Sequence, residues 1–87
     1  MNKVVYKYRL TPGVPANILA GEVVLCAAQI PEDMDPTIWV EHSGGTMHEE
    51  YAVIGTGHQI PLYWQHVGSC VCANGTLVWH VYRRRMY

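Results

Sequence analysis

The chain has 87 residues, enough for one domain and too few for two, and a chain of this size buries only about 60–65% of the surface its unfolded form exposes. With 49% hydrophobic and 15% charged residues it has too few charges to cover a soluble monomer, so part of its surface is expected to be covered by other copies or by a partner. The net charge of −1 disfavours a nucleic-acid binder, and three cysteines, an odd number, do not make a fully paired disulfide scaffold.

Charge is sorted along the chain. All six Lys and Arg lie near the ends (Lys3, Lys7, Arg9, Arg83, Arg84, Arg85), and all seven acids lie between Glu22 and Glu50. Residues 51–82 carry no Asp, Glu, Lys or Arg, so that third reads as core plus interface. His58, Gln59, Gln65 and His66 interrupt its apolar run well below the roughly 18 residues of a membrane span. Lys3 and Lys7 are followed by no apolar core of export-signal length. A reducing cytoplasm without membrane attachment is the expected setting.

Lys3 to Leu10 alternates, with Val4, Tyr6, Tyr8 and Leu10 on one side and Lys3, Val5, Lys7 and Arg9 on the other, which predicts a strand. Thr11-Pro12-Gly13 breaks it, and a short Asn17–Ala20 segment follows. Glu22 to Ile30 is a continuous apolar run of strand length, expected to be buried on both faces. Pro31 to Pro36 is an acidic, proline-bracketed loop, read as a surface excursion.

Thr37–His42 and Thr46–Ile54 flank Ser43-Gly44-Gly45, which suggests a hairpin closed at Gly44-Gly45, with Glu41 facing His48 and Trp39 facing Glu50. Ile54 to Pro61 then packs two glycines, a hydroxyl and an imidazole into Gly55-Thr56-Gly57-His58. Such a segment reads either as an anion-binding concavity of backbone amides or as a tight turn leaving a strand. Gln65–Cys72 and Thr76–Arg83 flank Asn74-Gly75, the strongest hairpin signal in the chain. In that register Cys70 faces Trp79 and Gly68 faces Val81 on one side, while Ser69 faces His80 and Val67 faces Tyr82 on the other.

No segment has a sustained helical period. The expected fold is all-β, a small antiparallel sandwich or barrel of about six strands that self-associates into a homo-oligomer.

The run Val4-x-Tyr6-Lys7-Tyr8-x-Leu10, then Ile38-Trp39-Val40, then Ala52-Val53-Ile54-Gly55-Thr56-Gly57-His58-x-Ile60-Pro61, His66-Val67-Gly68 and Val78-Trp79-His80-Val81 resembles a family of small, uncharacterised tailed-phage proteins. The resemblance covers nearly the whole chain. Its most specific parts are the Ile-Gly-Thr-Gly-His-x-Ile-Pro segment and the Val-Trp-His strand. It implies a viral origin and a host-cytoplasmic setting, and it brings no activity with it. Gly68-Ser69 stands where the family pattern has Gly-Thr, and Arg83–Arg85 is an addition to that pattern.

Cys70 and Cys72 share one face of a strand opposite Leu77 and Trp79, where cysteine acts as a small hydrophobe, and His80 lies on the other face. No metal site or cofactor is expected. A nucleophilic enzyme would need a base and an orienting carboxylate beside Ser or Cys, and the one close acid–base pair in register, Glu41–His48, has no nucleophile, so no catalytic residue is assigned. His58 stands apart as a side chain that could act on a bound phosphate or cap its own turn.

The arginines give the sharper signal, because their forked donors match phosphate. If the first and last strands were neighbours, six cations would converge; otherwise they form a solvated basic tail. A compact anion suits such a patch better than a duplex does, and aromatic rings would stack a base. The resulting expectation is a non-enzymatic phage antagonist of bacterial immunity that sequesters a small anionic, nucleotide-derived signal. Its ligand-binding residues would be Gly55, Thr56, Gly57 and His58 in the turn, Arg83, Arg84 and Arg85 for phosphate, and Trp39 or Tyr82 for a base. The alternatives are a protein-binding inhibitor of a host defence enzyme, through the apolar strands or the acidic loop, and a minor virion or assembly protein.

Overall fold

A computed structural model of the chain describes residues 2–85, which form seven strands and a single 3-10 turn. β1 (Val4–Arg9), β3 (Glu22–Ala27) and β4 (Thr37–His42) make one antiparallel sheet in the order β1-β4-β3. β2 (Ala16–Leu19), β5 (His48–Gly55), β6 (Gln65–Cys72) and β7 (Leu77–Arg85) make the other, in the order β2-β5-β7-β6. The two sheets pack face to face. Alternation places Ile38 and Val40 of β4 against Tyr51 and Val53 of β5 and Val81 of β7, and Leu10 and Ile18 complete the buried core.

The expected hairpin at Gly44-Gly45 does not form. β4 pairs with β1 and β3, whereas β5 pairs with β2 and β7, so residues 43–47 carry the chain from one sheet to the other. β4 lies between β1 and β3, and β5 between β2 and β7, so both edges of each strand are paired. Glu41 accordingly pairs with Lys3 (3.2 Å), and it opposes Val5 and Glu22 in the ladders.

β1 and β7 are likewise not neighbours. β1 lies on the edge of the three-stranded sheet and β7 between β5 and β6, so the six terminal cations do not form one ladder. Arg9 instead meets Asp33 (3.9 Å) and Asp35 (3.8 Å), and Lys7 donates to Gln29 (2.8 Å).

The Glu22–Ile30 run is an edge strand rather than a doubly buried one, with Val24 and Leu25 half exposed. It pairs with β4 alone, and its Val24 and Leu25 side chains are left uncovered by the described residues. The acidic loop is tied down by backbone. Its Pro31 and Asp33 carbonyls accept from Asn74 and Ala73 (2.7 Å each), and its Met34 carbonyl accepts from Trp79 Nε1 (2.7 Å).

The β6–β7 hairpin forms as expected from Cys72↔Leu77 through Gly68↔Val81. There the register slips: a bulge at Val67 brings His66, not Val67, opposite Tyr82. Val67 turns in against the core while His66 joins the outer face. Ala73 and Asn74, both at positive φ (50° and 53°), make the turn between the strands.

At one end the sheets are held together by polar groups. The Tyr8 hydroxyl and His42 Nε2 share a hydrogen bond (2.8 Å), and His42 Nδ1 donates to the Ala20 carbonyl (3.2 Å), so both nitrogens of a nearly buried imidazole have partners. Gly21 follows, packed so close to the Glu41 carbonyl, Val40 and His42 that no side chain fits there.

Candidate functional site

β5 and β7 set the positions of the residues singled out in the sequence. Gly55 opposes Trp79 at one end of the pair, and Glu49 opposes Arg85 at the other. Six residues at about 3.3 Å each separate these ends by about 20 Å, so the glycine turn and the arginines do not form one site.

The turn itself is a tight one. Gly57 has φ +87°, and the His58 amide donates to the Gly55 carbonyl (3.2 Å), the geometry of a turn that needs glycine at its third position. The His58 ring lies over Gly55 beside the Trp79 ring. Thr56 turns to the outer face of the four-stranded sheet, where its hydroxyl meets His80 Nε2 (3.1 Å). The four residues thus point to different surroundings and do not ring a common point.

Trp39 and Tyr82 are also separated. Trp39 lies between Lys7 and Leu25 on the outer face of the three-stranded sheet, and Tyr82 lies opposite His66 on the outer face of the other. Neither ring lines the clefts beside the arginines, so neither is placed to stack a base held there.

The three consecutive arginines alternate as strand geometry requires. Arg83 and Arg85 point between the sheets, on the side of Tyr51, and Arg84 points outward. Arg83 is mostly buried: Nη1 donates to the Gly21 carbonyl (3.1 Å) and lies 3.7 Å from the buried Glu49 carboxylate, and Nε donates to Gln65 (3.4 Å). It is a structural cross-brace where the core runs out. Burial pushes the neighbouring Tyr51 hydroxyl up from its ordinary range, and the Arg83 guanidinium opposes that rise. Arg84 donates to Glu50 (2.7 Å) and stacks 5.0 Å above the Trp64 ring. Arg85 is exposed, with no carboxylate among the described residues within ion-pair distance.

Two clefts open beside these arginines. One, about 390 Å³, has Lys3, Arg83 and Arg85 set against Glu22, Glu41 and Glu49, so its fixed charges balance. The other, about 550 Å³, is lined by Arg83, Arg84, Arg85, Tyr63, Gln65 and Glu49, three guanidiniums to one carboxylate. Tyr63 projects at its rim, 95% exposed and at φ 73°, a left-handed conformation that is uncommon for an aromatic residue. The second cleft can hold an anion with an apolar or planar portion, and its volume is in the range of small-molecule sites.

Tyr63, Trp64 and Gln65 were not among the residues expected from sequence. Pro61-Leu62-Tyr63-Trp64 looks like buried material in an uncharged third, and only the fold reveals that this loop is uncovered. The three cysteines, all free, gather where β3 meets β6. Burial raises the Cys26 thiol, and pushes Cys70 up to about 12 and Cys72 up to about 11, so these are inert thiols. Among the described residues no three His, Cys, Asp or Glu side chains converge for a metal, and no helix is long and apolar enough to cross a membrane.

The sequence profile of the family described as "Domain of unknown function (DUF7352)" matches residues 1–86, and the chain belongs to that family. No curated protein and no solved structure matches it.

Proposed function

We propose that this DUF7352 domain is a phage-encoded, non-enzymatic binding protein that captures a small anionic, nucleotide-like ligand in the cleft walled by Arg83, Arg84 and Arg85. It would act in the host cytoplasm as an antagonist of bacterial immunity, by sequestering a nucleotide-derived signal. The observation that carries the reading is a cleft of nucleotide size lined by three guanidiniums, of which Arg83 and Arg84 are paired with Glu49 and Glu50 and Arg85 has no carboxylate partner among the described residues, with an uncovered tyrosine at its rim. Arg85 and the outward side of Arg84 supply donors to phosphate. Tyr63 takes the stacking role that sequence alone assigned to Trp39 or Tyr82, and the Gly55–His58 turn is not part of this site. Arg83 holds the cleft's shape through Gly21 and Glu49.

Self-association remains part of the proposal. Val71 and Val78 on the outer face of the four-stranded sheet, and Ile60 and Leu62 in the β5–β6 loop, are exposed apolar side chains suited to a second copy. The test is a melting-temperature screen of the pure protein against cyclic, linear and ADP-ribose-type nucleotides, with light scattering alongside. A ligand at 100 times its Kd adds about 2.7 kcal/mol, a rise of about 10–20 °C for a chain of this size. No shift with any nucleotide contradicts the ligand, and a 9.8 kDa species at working concentration contradicts the oligomer.

The protruding Leu62 (80% exposed) and Tyr63 favour one other reading, a protein-binding inhibitor that inserts this loop into a host enzyme. Absence of any nucleotide shift, together with loss of host-protein capture in Leu62→Ser, supports that reading instead.

A further inference from the structure

The outer face of the four-stranded sheet carries a hydrogen-bonded chain that the arginine cleft does not use. Thr56 Oγ1 meets His80 Nε2 (3.1 Å), His80 Nδ1 meets Ser69 Oγ (2.8 Å), and Ser69 Oγ meets His66 Nε2 (2.9 Å). Two imidazole nitrogens on neighbouring strands therefore point at one small region, marked by the serine oxygen, with ring centroids 6.4 Å apart. The bulge at Val67 creates this convergence, because regular alternation would put Val67 opposite Tyr82 and turn His66 away. Bulges commonly re-aim a side chain beside a functional site.

We infer that His66 and His80 form a two-imidazole site for a divalent transition-metal ion of the Zn²⁺, Ni²⁺ or Cu²⁺ class, seated where Ser69 Oγ now links them. Imidazole is the ligand these ions favour, at bond lengths of about 2.0–2.1 Å. Each nitrogen already lies within 2.9 Å of the common oxygen, so an ion there needs a shift of under about 1 Å per ring, and the serine hydroxyl can rotate aside or remain as a weak third donor. His80 is also held as metal ligands are. In the tautomer that donates Nε2–H to the Thr56 hydroxyl, the one a metal at the site would select, the Nδ1 lone pair faces the site. The Tyr82 ring, 5.2 Å away and steeply inclined, packs the orientation of His66. With two protein ligands the ion keeps open positions for water or an anionic oxygen.

The experiment is calorimetric titration of Zn²⁺, Ni²⁺ and Cu²⁺ into the reduced protein at pH 7.5, with the imidazole nitrogens followed by NMR. A bound metal ion can deprotonate a thiol, so the titration is repeated in Cys26→Ser, where the stoichiometry and the His66 and His80 shifts should be unchanged. One ion per chain is expected, with shifts confined to His66 and His80. Affinity falls about tenfold or more in His66→Ala and in His80→Ala, and weakens in Thr56→Val through loss of the orienting partner. Ser69→Ala retains binding, as do His48→Ala and His58→Ala. Both ligand histidines are on the sheet surface, so their variants fold. Failure of all three ions to bind overturns the assignment, as does binding that survives His66→Ala or His80→Ala, or that is lost in His58→Ala.

Discussion

Gly21→Ala tests the packing that joins the two sheets. A Cβ at this position runs into the Glu41 carbonyl, and it comes within 2.8 Å of Val40 Cγ1 and 3.0 Å of His42 Nδ1. The backbone oxygen belongs to a central strand and cannot rotate away, so β3 must move outward. Overpacking of this kind costs about 1–3 kcal/mol. Displacement of His42 from the Ala20 carbonyl adds about 1 kcal/mol, and the lower chain entropy of unfolded alanine offsets about 0.4–1 kcal/mol. The net loss is about 1–3.5 kcal/mol, centred near 2, or roughly 10–15 °C in Tm at the centre. Urea unfolding followed by tryptophan fluorescence measures it, with Gly45→Ala as control, since a Cβ there meets nothing within 4 Å. The control should stay within about 0.5 kcal/mol of the parent. A Gly21→Ala loss as small as the control's refutes the close approach of β2–β3 to β4.

Thr37→Val should be neutral or stabilising by up to about 1 kcal/mol, because the fully buried Thr37 hydroxyl has no hydrogen-bond partner among the described residues and valine keeps its shape; a clear loss in urea midpoint would mean the hydroxyl is satisfied. Glu49→Ala should destabilise by about 2–3 kcal/mol, since it strands the mostly buried Arg83 guanidinium, whereas Arg85→Ala should leave stability within about 0.5 kcal/mol; equal effects contradict the split between a structural and a free arginine. The contribution of the buried thiols to stability should be complete below pH 9 and be lost as pH rises toward 11–12. The folded thiols of Cys72 and Cys70 hold their protons to about 11 and about 12, while the unfolded thiols lose theirs from 9.0. Urea midpoints at pH 8 and 10.5 measure this fall, and Cys70→Ala should flatten part of it.

The antiparallel all-β class was legible because strands show period-two alternation and glycine, proline and asparagine punctuation, and the Asn74-Gly75 hairpin was placed correctly over five ladder pairs. Partnership between distant strands was not legible. Gly44-Gly45 is a hairpin signal weaker than Asn74-Gly75, and nothing within residues 37–55 shows that β4 and β5 enter different sheets. The bulge at Val67 was hidden for a related reason: a core that takes Val67 in place of His66 overrides strict alternation. For the site, the clustering of arginines was visible and their alternation could have been read from strand geometry alone. Neutralisation of Arg83 and Arg84 by Glu49 and Glu50 could not, because it depends on β5 pairing with β7. The pairing of Ser69 with His80 was in the expected register, but His66, which gives that pair a further interest, entered only through the bulge.

The most direct test of the arginine cleft is calorimetric titration of the best nucleotide from the screen into the parent, Arg85→Ala, Tyr63→Ala and Thr56→Ala proteins. The cleft predicts a parent that binds, a loss of about tenfold or more in Arg85→Ala and in Tyr63→Ala, and an unchanged Kd in Thr56→Ala at the far end of β5. No heat with any nucleotide, or a loss in Thr56→Ala that matches the loss in Arg85→Ala, contradicts it.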